Sequence, residues 1–137
     1  MTTPAKPLPQ PDLDSRPYWE AAKQHRLMLP RCQRCGHTSF PPRPRCPRCL
    51  SQELAWTELS GRGTVHSFCV MHDDLIQGFQ PPYVIAHVEL EEQAGLLLTS
   101  NILDCPMDQV RVGMPVEVAF EEVTEEVSLP QFRPRRV

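Results

Sequence analysis

Apolar and polar residues alternate along most of the chain after residue 54, which is typical of strands that bury one face. The alternating runs are short, and glycine or proline residues separate them. They lie at residues 54–59, 63–71, 83–91, 96–102 and 116–123. No helical period competes with them, and closing about five strands into a barrel removes their exposed edges. The pattern therefore predicts a small β-barrel of the OB type, although an SH3-like barrel gives a similar pattern.

Two of these runs allow their faces to be assigned. In the run 83–91 the apolar face consists of Val84, Ala86, Val88 and Leu90. In the run 63–71 strict alternation places Val65, Ser67, Cys69 and Met71 on one face. Because a free cysteine is usually buried in a protein without disulfides, Cys69 and Cys105 are predicted to be thiols of the core.

The N-terminal part has a different pattern. Residues 1–15 contain four prolines and few apolar residues, and they predict a disordered tail, with a proline-rich ligand segment as the alternative. Residues 16–27 have a helical period, with Pro17 in the first turn. Such a short helix needs a surface to dock on. Tyr18 and Trp19 either pack against their own chain or contact a partner or ligand.

Charge divides the 137-residue chain into two halves. Residues 1–50 carry a net charge of +6 and residues 51–137 carry −9, which together give −3. This division predicts two modules, residues 16–53 and residues 54–137, and argues against a simple nucleic-acid binder. The sequence contains neither an apolar run of membrane-spanning length nor a signal-peptide pattern at its start. We therefore predict a cytoplasmic protein.

Four cysteines form the strongest local motif. Residues 31–50, RCQRCGHTSFPPRPRCPRCL, contain two C-x2-C pairs separated by ten residues. Each pair makes a tight turn that directs two sulfurs to one point, and two such turns provide the four thiolates of a tetrahedral zinc site. The spacing predicts a structural zinc ion that leaves no open coordination position, held by Cys32, Cys35, Cys46 and Cys49.

Other interpretations of this segment are weaker. Two disulfides are not expected in a chain without a secretion signal, and paired C-x2-C units outside a βαβ pattern do not fit a thioredoxin-like site. His37 adjoins the first pair and is expected to be a surface neighbour of the zinc site. The arginines around the cysteines are expected to offset the thiolate charge.

No catalytic set can be assembled from the remaining residues. His66, His72 and His87 lie on or near predicted strands, and none has a nucleophile or carboxylate at a recognisable spacing. Their roles stay open, as do those of Arg133, Arg135 and Arg136. The C-terminal segment LPQFRPRRV either returns to the barrel or docks on an acidic partner.

The order of these modules resembles the DUF35 family of zinc-ribbon and OB-fold proteins. The resemblance rests on PYWEAAKQHRLMLPRCQRCGHTSFPPRPRCPRC, WTELSGRGTVHSFCVMH, PPYVIAHVELEE, VRVGMPVEVAFEEV and LPQFRP, which together extend over residues 17–134. It implies a mainly β fold with an N-terminal helix, a rubredoxin-like zinc ribbon and a C-terminal OB barrel. Two departures, Gln93 and Ala94 before Gly95 and an acidic loop after His72, leave the ligand specificity of that edge open.

The resemblance also implies a function. Members of the family are accessory subunits of thiolase-like, lipid-transfer-type aldolase or ketoacyl-synthase-like enzymes, and they help to hold or transfer coenzyme A thioesters. Arginines near the ribbon would then meet coenzyme A phosphates. The partner would supply the catalytic groups, so whether this chain has activity alone is left open. The alternatives are a nucleic-acid-binding zinc-ribbon and OB-fold protein, and a stand-alone enzyme.

Overall fold

The structure is a computed structural model that describes residues 6–136, and it is mainly β. It has one α-helix, seven strands and one short 3-10 helix. In chain order these are α1 (Arg16–Lys23), β1 (Met28–Cys32), β2 (Leu54–Glu58), β3 (Arg62–Met71), β4 (Tyr83–Leu90), β5 (Leu97–Asn101), the 3-10 helix (Met107–Gln109), β6 (Pro115–Glu122) and β7 (Ser128–Pro134). No helix of the described part is long and apolar enough to cross a membrane.

The helix is shorter than the predicted range of 16–27. It ends at Lys23, because the chain turns at Gln24 and His25 adopts a left-handed conformation with φ of 59°. Tyr18, Ala21 and Ala22 form its buried face. The first five residues of the predicted tail lie outside the described residues, and residues 6–12 have no regular secondary structure. Disorder of residues 1–15 stays a prediction.

The ribbon is built on a two-stranded antiparallel sheet of β1 and β2. The sequence pattern had grouped residues 54–59 with the barrel strands, but β2 forms its ladder with β1, from Met28 opposite Glu58 to Cys32 opposite Leu54. The sequence pattern does not predict strand β1, because apolar and polar residues do not alternate in its five residues, MLPRC. Its apolar residues Leu29 and Cys32 are nevertheless buried.

The barrel is a five-stranded antiparallel sheet in the order β5-β4-β3-β6-β7. Its two outer strands approach each other, and a parallel bridge between Ile102 and Phe132 nearly closes the sheet into an OB-like barrel. The predicted apolar face of β4 is confirmed, since none of its four members is more than 2% exposed. Strand β7 confirms the alternative in which the C-terminal segment returns to the barrel, and it places Phe132 in the core.

A β-bulge in β3 changes the predicted faces. The register with β4 shifts between Val65 and Ser67, and the extra residue reverses the alternation beyond it. As a result Phe68 and Val70 pack against the core and Cys69 is exposed. Cys105 is only partly buried. The prediction of a core thiol was therefore wrong for Cys69, whereas Cys105 packs against the core from a partly buried position.

Candidate metal centre and apolar cleft

The two C-x2-C turns have the same backbone design. In the first turn the Gly36 N–H donates to the Cys32 carbonyl oxygen at 2.9 Å, and in the second the Leu50 N–H donates to the Cys46 carbonyl oxygen at 2.9 Å. Gly36 and Leu50 both have a left-handed conformation, with φ of 81° and 65°. A leucine therefore occupies the position that favours glycine.

These turns bring the four predicted cysteine sulfurs together. All four Sγ atoms lie within 4.8 Å of one another, and the Cys32–Cys49 and Cys35–Cys46 pairs are each 3.5 Å apart. A zinc ion with bonds of about 2.3 Å to four sulfurs places them about 3.8 Å apart. Cys32 and Cys46 are buried, whereas Cys35 and Cys49 face outward. The donor set and its spacing fit one tetrahedral zinc ion.

Backbone amides favour the thiolate forms of the two buried cysteines. The Cys35 N–H donates to Cys32 Sγ at 3.5 Å, and chiefly this hydrogen bond lowers the pKa of Cys32 to about 6. Burial opposes ionisation of Cys46, but amide hydrogen bonds from Cys49 and Arg48 together lower the pKa of that thiol. The lowered pKa values favour the thiolate, which is the form of cysteine that binds a metal cation.

The arginines of the ribbon divide into two groups. Arg31 donates to the Gly36 carbonyl oxygen at 3.3 Å, and Arg45 donates to the Leu50 carbonyl oxygen at 3.1 Å. They support the ends of the two turns. The other three have exposed side chains without a carboxylate partner among residues 6–136; they are Arg34, Arg43 and Arg48.

An apolar cleft of about 370 Å³ lies where the helix, the ribbon arm and the barrel meet. Twelve residues line it: Ser15, Tyr18 and Trp19 from the helix region, Phe40, Pro41 and Pro42 from the arm, Thr99, Ser100 and Asn101 from β5, and Leu129, Pro130 and Gln131 from β7. Half of these residues are aromatic or proline, and the exposed surface of the lining is mostly apolar, as in many small-molecule sites.

The aromatic wall of the cleft is a packed unit. The rings of Tyr18 and Trp19 meet edge to face with centroids 4.9 Å apart, and Tyr18 and Phe40 are 5.8 Å apart. Burial raises the pKa of Tyr18, so its hydroxyl stays protonated. Packing of Tyr18 and Trp19 against their own chain is confirmed. Both also line the cleft, and their contact with a partner or ligand stays a prediction.

The polar side of the cleft comes from β5 and β7. Ser100 Oγ donates to the Pro130 carbonyl oxygen at 2.8 Å and ties the two strands together. Gln131 is 2% exposed, and its Nε2 donates to Glu121 Oε1 at 2.9 Å. Sequence reasoning missed this part of the cleft, because only the closure of the barrel brings these strands together.

The three histidines whose roles the sequence left open are all exposed. His66 and His72 are exposed on and just after β3. His87 is exposed on β4, with its Nδ1 3.2 Å from Thr99 Oγ1 at the rim of the cleft. His37 is bound to the ribbon through its main chain, where its carbonyl oxygen accepts from the Cys32 N–H at 2.8 Å.

Two family models match consecutive parts of the chain. The model of the ChsH2 rubredoxin-like zinc ribbon domain matches residues 19–55, and the model of the ChsH2 C-terminal OB-fold domain matches residues 56–121. The chain belongs to the DUF35/ChsH2 family. The boundary between the two models lies inside β2, so the models divide a strand that pairs along its whole length with β1 of the ribbon.

Relatives in the DUF35/ChsH2 family carry two kinds of name. A protein of Thermomonospora curvata named a probable enoyl-CoA hydratase alpha subunit is 40% identical over 94% of this chain. This chain spans only 40% of the length of that protein. A protein of Methanocaldococcus jannaschii named a DUF35 domain-containing scaffold protein is 38% identical over 79% of this chain and 77% of its own length.

A third relative and two solved structures extend the comparison. A protein of Geobacter metallireducens named benzoylsuccinyl-CoA thiolase subunit BbsA is 39% identical over 66% of this chain and 58% of its own length. A chain of an Ltp2-ChsH2(DUF35) aldolase structure superposes with a TM-score of 0.84 at 40% identity, covering 92% of this chain and 98% of that chain. A DUF35 protein of Sulfolobus solfataricus, described as of unknown function, shares the fold with a TM-score of 0.64 at 17% identity, over 90% of this chain and 86% of that one.

Proposed function

We propose that this chain is an accessory subunit of an acyl-CoA-processing enzyme complex and that its partner has a thiolase-type fold. The observation that carries the proposal is the superposition with the DUF35 chain of an aldolase complex over nearly the whole length of both chains. The names of the relatives, which include a thiolase subunit and a hydratase alpha subunit, support it. In this proposal the partner supplies the catalytic residues.

The ribbon has a structural role in this proposal. Cys32, Cys35, Cys46 and Cys49 would hold one zinc ion, which cross-links two turns of a module that has only a two-stranded sheet of its own. All four coordination positions would be filled by sulfur, so the ion would supply folding energy rather than Lewis-acid chemistry.

The apolar cleft is the candidate site for holding the thioester. Its walls of Tyr18, Trp19 and Phe40 offer dispersion contacts to an apolar chain, and the polar rim from β5 offers hydrogen bonds. A cleft of about 370 Å³ accommodates part of an acyl-CoA rather than the whole molecule. In this proposal the remaining parts of the thioester lie against the partner.

Co-expression with a candidate partner of thiolase-type fold tests the subunit role. We expect the two chains to elute together in size-exclusion chromatography and to process an acyl-CoA only when both are present. Separate elution under all salt conditions would contradict the subunit role.

Intrinsic fluorescence tests the cleft, because the chain has only two tryptophans. Trp19 lines the cleft and Trp56 lies on β2, away from the cleft lining. In the Trp56→Phe variant, which retains Trp19, we expect a short-chain acyl-CoA to change the emission with a saturable dependence. The matched Trp19→Phe variant retains Trp56 and should show no change. An equal response of the two variants would contradict the cleft as the site and would leave the subunit role intact.

The nucleic-acid alternative stays a second hypothesis without a specific observation in its favour. OB barrels that bind single strands offer stacked aromatic side chains in a basic groove. Here Phe132 is fully buried, and the barrel half of the chain carries a net charge of −9. Binding of an oligonucleotide that weakens steeply with salt would revive this alternative.

A further inference from the structure

The ribbon segment contains no acidic residue. Residues 28–52 hold five arginines and one histidine without any aspartate or glutamate. Of the seven arginines outside this segment, three pair with carboxylates of the chain: Arg26 lies 2.8 Å from Glu58, Arg62 2.6 Å from Glu91 and Arg133 3.0 Å from Glu117. None of the five ribbon arginines forms such a pair within residues 6–136.

Compensation of the metal centre does not account for this charge. Four thiolates and one zinc ion carry a net charge of about −2. The five arginines carry about three positive charges more than are needed to neutralise the metal centre, and all five are exposed. Arg31 and Arg45 are also needed by the turns, because each donates to a carbonyl oxygen there. The three excess positive charges equal in number the three arginines that make no hydrogen bond to a turn carbonyl: Arg34, Arg43 and Arg48.

These three arginines do not line one common depression of the surface. Arg34 lines a shallow depression on the first turn, Arg43 lines a separate depression beside His37, and Arg48 lies on the second turn. A phosphate group requires donors that meet at one site. Leu50 is 65% exposed on the same turn as Arg48, so the surface also offers an apolar contact.

We propose that Arg34, Arg43, Arg48 and Leu50 form a docking surface for an acidic face of the partner subunit. This inference rests on the proposed function, because it needs a protein partner. Several separate positive charges and an exposed apolar side chain on one module match an extended protein surface, where the charges accelerate association and fix its orientation. The exposed arginines of the ribbon thus steer the complex electrostatically, while the helix, the ribbon arm and the barrel form the cleft.

The test compares two triple variants that remove the same charge. R34Q/R43Q/R48Q removes the free arginines of the docking surface. The matched control, R26Q/R62Q/R133Q, removes three exposed arginines that already have carboxylate partners in this chain. Association with the purified partner is measured by surface plasmon resonance at about 50 mM and about 300 mM salt, with zinc content as the check on folding.

We expect the association rate constant of the wild-type chain to fall with added salt. At low salt the ribbon variant should associate about tenfold or more slowly than the control variant, and its rate should depend less on salt. Equal rates for the two variants would overturn the docking surface, although the wild-type complex would still support the subunit role. Failure of the wild-type chain to bind the partner would instead contradict the proposed function.

Two further measurements exclude other occupants. If free coenzyme A competes with the partner in the wild type but not in the ribbon variant, the arginines form a phosphate site and the inference is wrong. If the wild-type chain self-associates at low salt and the ribbon variant does not, a second copy of the acidic barrel is the occupant, and the inference is wrong as well.

Discussion

Gln93 and Thr38 exchange two hydrogen bonds across the junction of the ribbon and the barrel. The Thr38 N–H donates to Gln93 Oε1 at 2.8 Å, and Gln93 Nε2 donates to the Thr38 carbonyl oxygen at 2.7 Å. Thr38 is 5% exposed, so water has little access to these main-chain groups. The Gln93 amide thus binds the main chain of Thr38 as a neighbouring β-strand would. It holds the ribbon against the turn between β4 and β5.

We predict that Gln93→Ala destabilises the protein by about 2–4 kcal/mol. The change leaves a buried N–H and a buried carbonyl without partners, and each such group costs about 1–3 kcal/mol. Thermal unfolding of the zinc-loaded protein measures the effect. Gln52→Ala is the matched control, since Gln52 is exposed and its side chain makes no hydrogen bond within the described residues. Equal stability of the two variants would show that the double hydrogen bond contributes nothing.

Removal of a buried cysteine is predicted to release the metal. Cys32→Ser and Cys46→Ser each delete a ligand, and because metal binding and folding are coupled, the ribbon should unfold. Metal analysis should find about one zinc per chain in the wild type and much less in these variants. Cys69→Ser, at an exposed position outside the cluster, should retain the zinc. A wild-type protein that is folded but free of zinc would contradict the assignment.

The two left-handed turn positions are predicted to respond in opposite directions. Gly36→Ala should destabilise the ribbon by about 1–2 kcal/mol, because a side chain in this conformation is strained. Leu50→Gly should remove the same strain and stabilise the ribbon, by less than about 1 kcal/mol because glycine gains freedom in the unfolded chain. Unfolding in the presence of zinc measures both changes. Destabilisation by both variants would show that Leu50 makes contacts that outweigh its strain.

Phe132→Ala is predicted to cost about 3–5 kcal/mol. Phe132 is fully buried, and its strand closes the barrel through the bridge to Ile102. The variant should unfold at a lower denaturant concentration than Arg133→Ala, a control on the same strand whose exposed ion pair contributes little. Similar midpoints for the two variants would mean that the closing strand is not part of the cooperative core.

The sequence predicted the elements whose patterns are local. The face of β4 and the grouping of the four cysteines follow from alternation and spacing, and both agree with the structure. The bulge in β3 coincides with an interruption of the alternation, because His66 and Ser67 are adjacent polar residues, but the strict alternation assumed for residues 63–71 passes over this signal. A single inserted residue reverses every later side chain, so one local feature was enough to misplace that cysteine.

The cleft was only partly predictable. Tyr18 and Trp19 stood out because a short helix with two large aromatic residues needs a surface. The opposite wall, formed by residues such as Ser100 and Gln131, depends on the meeting of β5 and β7, which lie about 30 residues apart in the chain. Contacts at this separation leave no periodic signal in a single sequence, so only the folded barrel brings them together.

Because β7 closes the barrel, the metal site and the cleft can form only in a fixed order during synthesis of the chain. All four cysteines of the ribbon leave the ribosome long before β7 does, and β1 and β2 need only residues up to Glu58 to pair. The wall of the cleft formed by residues 129–131 exists only after the C-terminal strand is released. The metal site can therefore form on the nascent chain, whereas the cleft is complete only after β7 has left the ribosome.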